Sequence, residues 1–113
     1  MSALKIIAGL YKGRAIPLCS HPALRPTPNR VRETLFNWLM HDIHQSTCLD
    51  AFAGSGALGF EALSRGAKHV TLVEQDPVLF AQLQKTALSF NASALQLVQS
   101  DVLQFLATHL MPF

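Results

Sequence analysis

Three acidic residues, Asp50, Glu74 and Asp101, each stand at or just beyond the end of a short apolar run, and Gly54, Gly56 and Gly59 lie between the first two. Glycines at this spacing let a chain turn tightly and aim free backbone N–H groups at a ligand. The Gly54, Gly56, Gly59 spacing matches the dinucleotide fingerprint, and Glu74 lies twenty positions after Gly54, where an acid would accept from ribose hydroxyls. A nucleoside-bearing cofactor is therefore the expectation. Two classes compete. A nicotinamide or flavin dinucleotide brings a pyrophosphate, whereas S-adenosylmethionine brings a sulfonium and an ammonium. Asp50, four residues before Gly54, would repel the first and favour the second, besides capping the turn. Asp101 has two equal roles open to it. It would accept from an adenine amino group, with the Val102 backbone alongside, or it would only cap a helix.

The elements that must position these residues follow from local pattern. The stretch Cys48 to Gly59 reads as strand, glycine turn and helix start, and Ala57 to Arg65 as a short helix stopped by Gly66. Val70 to Val73 has the β-branched, apolar character of a strand covered on both faces, with Glu74 at its carboxyl end. Asp76-Pro77 supplies an N-cap and first-turn proline for a helix through Leu79, Phe80, Leu83, Ala87 and Phe90. Leu95 to Gln99 is a third strand, and Val102 to His109 a further helix. Strand and helix thus alternate after residue 47, the pattern of a parallel, right-handed α/β sheet with ligands at the strand carboxyl ends.

Before this unit, residues 4–18 read as a hairpin with Lys12-Gly13 near its turn. Thr27-Pro28 then gives an N-cap and a first helical proline, and Val31, Leu35, Trp38, Leu39 and Ile43 are expected to face the core on a helix ending near His44. Arg30, Glu33, Thr34 and Asn37 form its polar stripe, flanked by Arg32. Six of the nine basic residues (Lys5, Lys12, Arg14, Arg25, Arg30 and Arg32) precede the first acidic one, Glu33, and from Glu33 onward three basic residues face seven acidic ones. Such asymmetry suggests a polyanion-binding arm on an otherwise acidic body. The two cysteines and five histidines have no metal-ligand spacing, so no metal is expected. The cysteine usage and the lack of a membrane-length apolar run or signal-peptide core point to a soluble, cytoplasmic protein.

Beyond these local patterns, the runs Leu24-Arg25-Pro26-Thr27-Pro28-Asn29-Arg30-Val31-Arg32-Glu33-Thr34-Leu35-Phe36-Asn37-Trp38-Leu39 and Leu49-Asp50-Ala51-Phe52-Ala53-Gly54-Ser55-Gly56-Ala57-Leu58-Gly59, with Glu61 to Gly66, Val73 to Asp76 and Ile6 to Arg14, resemble the RsmD family. These are bacterial methyltransferases acting on the exocyclic N2 amino group of a guanine in 16S ribosomal RNA. The resemblance implies a class I, Rossmann-like S-adenosylmethionine-dependent fold, here of about three parallel strands preceded by a β-hairpin and a helix. Residues 1–26 would be the basic hairpin and arm, and 27–113 a partial cofactor-binding unit.

In that comparison Asp50, Gly54, Gly56 and Glu74 match cofactor positions, Asp101 with Val102 the adenine side, and the segment from Thr27 to Glu33 the region that closes over the methionine end. Lys12, Arg14, Arg25, Arg30 and Arg32 would supply phosphate contacts to 16S rRNA, free or in the assembling small subunit. The family's catalytic motif, an Asn or Asp followed by two prolines and an aromatic after a fourth strand, has no counterpart up to Phe113, so no catalytic residue is assigned and these 113 residues are expected not to catalyse transfer alone. A non-catalytic RNA- or cofactor-binding module is the alternative, and a dinucleotide-dependent oxidoreductase a more distant one.

Overall fold

In a computed structural model, residues 3–18, 28–51, 53–90 and 92–109 are described. The elements run in the order β1 (Ala3–Lys5), β2 (Ala15–Pro17), α1 (Asn29–Trp38), β3 (Thr47–Asp50), α2 (Ala57–Ser64), β4 (His69–Glu74), α3 (Pro77–Ala87), β5 (Leu95–Gln99) and α4 (Val102–His109), with a single 3-10 turn at Ala92–Ala94 before β5. Strands β3, β4 and β5 form a parallel sheet in that order, with β4 in the centre. Its side chains explain the choice of central strand. Val70, Leu72 and Val73 are fully buried, and each such side chain contributes about 1.5–3 kcal/mol on burial. The core joins Val70 and Leu72 to Phe60 and Leu63 of α2, Leu83 and Ala87 of α3, and Phe90.

The start of α3 and the end of α2 are set by the residues expected to set them. The Asp76 carboxylate accepts from the Val78 and Leu79 N–H groups at 2.9 and 3.1 Å, with Pro77 in the first turn of α3. At the end of α2, the Gly66 N–H donates to the Leu63 carbonyl and the Ala67 N–H to that of Ala62. Gly66 adopts φ +104°, so this is a Schellman stop that needs the left-handed region.

The amino-terminal hairpin pairs Ala3 with Pro17, Leu4 with Ile16 and Lys5 with Ala15. Its turn includes Lys12-Gly13, and Ile6 and Ile16 are buried. Packing comes from α2: the Leu10 N–H donates to the Ser64 carbonyl at 2.8 Å and the Tyr11 N–H to Ser64 Oγ at 2.9 Å.

Helix α1 departs from expectation in three respects. Pro28, not Thr27, occupies the N-cap position, and Thr27 lies outside the described residues. The helix ends at Trp38, after which turns carry the chain so that Ile43 is buried in the core and Leu39 packs against it. Its inner face is also a different one. Arg32 and Phe36 are buried, whereas Val31 and Trp38 are 52% and 78% exposed. Arg32 and Phe36 repeat the four-residue spacing of Val31 and Leu35 one position on, while Leu39 and Ile43, beyond the helix, keep their expected core positions. Arg32 can take the inner face because it finds an ion-pair partner there.

Candidate functional site

The glycine turn grows directly out of the sheet. Beyond β3 the ladder continues with the Ala53 N–H donating to the Val73 carbonyl, and one residue later the Gly54 N–H donates to Glu74 Oε1 at 2.9 Å. The other oxygen, Glu74 Oε2, accepts from the Asp76 N–H at 3.0 Å. Glu74 therefore ties the turn after β3 to the turn after β4. Gly54 and Gly56 both adopt positive φ, at +55° and +86°. A Cβ on Gly56 would come within 2.3 Å of the Phe60 ring, so the start of α2 has no room for a side chain there.

A cleft opens at the carboxyl ends of β4 and β5, its lining including Ala51, Val73, Glu74, Ser100, Asp101 and Val102. Val102 is half-buried and Asp101 exposed. Asp101 Oδ1 accepts from the Gln104 N–H at 3.1 Å, which makes it the cap of α4 as well as part of the cleft lining. Of the expected cofactor residues, the structure thus brings Glu74, Asp101 and Val102 together and bonds Gly54 to the first of them.

Asp50 is held elsewhere. It pairs in register with Leu72, two residues short of Glu74, and its Oδ2 accepts from the Gly59 N–H at 3.1 Å in the first turn of α2. It lines a separate groove with Leu35, Leu39, Leu58 and Gly59. The capping role holds: Asp50 fixes the start of α2, and the next residue, Ala51, lines the Glu74 cleft.

The basic residues divide sharply. Lys12, Arg14 and Arg30 are exposed, and Arg25 lies outside the described residues. Arg32 is 0% exposed and cannot reach a phosphate, which corrects its expected RNA contact. Its Nη1 donates to Glu61 Oε1 at 3.3 Å, and its Nη2 donates to the Lys5 carbonyl at 3.0 Å and to Asn29 Oδ1. Burial lowers the Arg32 pKa from its usual value; Glu61 opposes this and Arg65 adds to it. A buried arginine is tolerated only where its hydrogen bonds are largely met, and here three elements meet them.

Sequence reasoning did not single out Glu61, the centre of that junction. Its Oε1 also accepts from the Ile7 N–H at 2.9 Å, and its Oε2 from the Ala8 N–H at 3.2 Å and from Arg65 Nε at 2.8 Å. The available signal was one acid inside the apolar run Ala57 to Leu63, with Arg65 four residues on. Ser64 adds a second link, its hydroxyl donating to the Ala8 carbonyl at 2.6 Å. Among the described residues no group of three or more potential metal ligands occurs, and no helix is long and apolar enough to cross a membrane.

Comparisons with known proteins agree with this architecture. The chain is 53% identical over 105 residues to the ribosomal RNA small subunit methyltransferase D of Haemophilus influenzae, covering 91% of this chain and 54% of that protein. With the protein of the same name from Escherichia coli K12 it shares 50% over 104 residues, 92% of this chain and 52% of the relative. The chain thus spans about half the length of the curated relatives it matches. The solved yhhF structure of Escherichia coli superposes with a TM-score of 0.85 at 45% identity, over 94% of this chain and 57% of that one. HI0767 of Haemophilus influenzae gives 0.73 at 46% identity, over 93% and 56%. The three-stranded parallel sheet is accordingly the Rossmann-like arrangement of S-adenosylmethionine-dependent methyltransferases. Residues 4–111 match the family described as conserved hypothetical protein 95, and with relatives this similar the chain belongs to that family, the RsmD family.

Proposed function

We propose that this chain is the cofactor-binding part of an S-adenosylmethionine-dependent methyltransferase acting on the exocyclic N2 amino group of a guanine in 16S ribosomal RNA. The observation that carries the cofactor assignment is the half-committed Glu74 carboxylate in the cleft, where an acid receives ribose hydroxyls. That acid suits a dinucleotide as well, and the relatives named as methyltransferases favour S-adenosylmethionine. When bound, S-adenosylmethionine supplies an electrophilic methyl group on its sulfonium.

The residues present fit that ligand. Glu74 uses two acceptor positions on backbone N–H groups, and a carboxylate has about four, so positions remain for two ribose hydroxyls. Val73 and Val102 give the cleft apolar walls for a nucleobase, and the second Asp101 oxygen would accept from an adenine amino group. Gly54 and Gly56 shape the turn for the methionine end, and Asp50 keeps α2 seated behind it. Thr27 belongs to this reading as a residue closing over the methionine end. Residues 1–26 form the RNA-side arm, with Lys12, Arg14 and Arg25 joined by Arg30 as phosphate contacts, and 27–113 form the cofactor unit. The cytoplasm, where rRNA is made and modified, is the fitting location.

Calorimetric titration with S-adenosylmethionine and with a nicotinamide dinucleotide tests the cofactor. Binding of the first and none of the second is expected, and the reverse preference would overturn the assignment. Labelled methyl transfer to unmodified small-subunit rRNA tests the rest: the 113-residue chain alone should give no turnover. N2-methylguanosine should form once the remaining portion of the longer relatives is supplied. Efficient turnover without it, or a different methylated nucleoside with it, would refute the corresponding half.

A further inference from the structure

Four side chains make a ladder from the core to the surface of the arm. The Phe60 and Phe90 rings stack with centroids 4.6 Å apart and planes 13° apart, and the Tyr11 ring meets Phe90 edge-on at 4.8 Å. The Arg14 guanidinium carbon then lies 4.8 Å from the Tyr11 centroid and 5.5 Å from that of Phe90. Burial decreases along the series: Phe60 and Phe90 are buried, Tyr11 half-buried and Arg14 exposed. The backbone holds both outer members in place, since the Arg14 N–H donates to the Tyr11 carbonyl at 3.0 Å and the Tyr11 N–H to Ser64 Oγ.

Among the described residues, the Arg14 guanidinium forms no hydrogen bond or ion pair, so the rings alone position it. A guanidinium over aromatic rings is weakly hydrated and already restricted, and loses less freedom when a further flat group is added. Lys12, one residue beyond Tyr11, is an exposed ammonium with no ring contact among the described residues. One turn therefore carries two cations of different design, an exposed point charge and a planar group at the head of an aromatic column.

We propose that Arg14 with Tyr11 is a stacking platform for one unpaired RNA base, and that Arg14 contributes more than charge. The proposal rests on the rRNA reading above and goes beyond phosphate contact. An unpaired base offers its face to such a platform, whereas a duplex keeps its base faces covered, so the platform selects looped or single-stranded RNA. Lys12 serves either form equally, through phosphate.

The test compares a hairpin RNA carrying 2-aminopurine in its loop with a fully paired duplex of the same composition, over a range of salt concentrations. Wild-type protein should bind the hairpin more tightly and quench the loop fluorophore. Arg14→Lys keeps the charge and should weaken hairpin binding about fivefold to a hundredfold, abolish quenching and leave duplex affinity and the salt slope unchanged. Lys12→Ala should lower affinity for both RNAs, reduce the salt slope by about one and leave quenching intact. An unchanged melting temperature for Arg14→Lys separates the effect from unfolding. If Arg14→Lys binds and quenches like wild type, or weakens both RNAs alike, the platform is refuted while the rRNA reading stands. If the wild-type protein binds neither RNA at any salt concentration, both fall.

Discussion

Glu61 and Glu74 are the same residue type in the same small domain, and they are built into opposite surroundings. Glu61 is fully buried and accepts from four donors, the Ile7 and Ala8 amides, Arg32 and Arg65. Glu74 is half-buried and accepts from two, the Gly54 and Asp76 amides. A carboxylate offers about four acceptor positions, so the first is saturated by the protein and the second is half committed. The difference teaches how to separate scaffold from site: an acid whose valence the fold fills is architecture, whereas one at a strand end with acceptor positions to spare can receive a ligand. Arg32 and Arg14 repeat the contrast among the cations, one enclosed by three elements and the other exposed at the end of an aromatic column.

Removing Glu61 should break the contrast most forcefully. Glu61→Ala leaves Arg32 buried without its counter-charge and two backbone amides without acceptors, and should cost about 3–5 kcal/mol in denaturant unfolding. A loss under about 1 kcal/mol would show that the junction is not architecture. Replacing the pair together, Arg32→Met with Glu61→Leu, should recover only part of the loss, because the Ile7 and Ala8 amides still lack an acceptor. Gly56→Ala comes next. It forces a side chain into left-handed backbone against Phe60 and should destabilise by about 1–3 kcal/mol in the same assay. Glu74→Gln should reverse the balance between stability and binding. With one carboxylate oxygen retained, unfolding should change by about 1 kcal/mol, while calorimetry should show S-adenosylmethionine affinity lower by about tenfold or more. Equal effects on folding and binding would erase the distinction between the two acids.

Much of this was legible along the chain because the responsible interactions are local. The Asp76-Pro77 cap, the Gly66 stop and the strand-helix alternation after residue 47 each depend on residues within a few positions of one another. The Glu74 position was legible from spacing alone, and the structure adds its bonds to Gly54 and Asp76. The inner face of α1 was not. Apolar periodicity assigned Val31 and Trp38 to the core, and no count of that kind places an arginine there. Arg32 is buried because Glu61, twenty-nine residues away, is buried opposite it, and pairing across that separation leaves no periodic trace. The separation of Asp50 from Glu74 was likewise hidden, since it depends on sheet register.

Helix α2 begins at the glycine turn and, in its later part, carries the two residues that grip the arm, Glu61 and Ser64. Its eight residues span about 12 Å. The helix is therefore a ruler, setting how far the basic hairpin stands from the turn and in which direction it points. Each residue inserted or deleted within it would swing the arm by about 100° and shift it by about 1.5 Å. Length variation should accordingly be confined to the loops around α2, where the hairpin tip can change without moving the glycine turn.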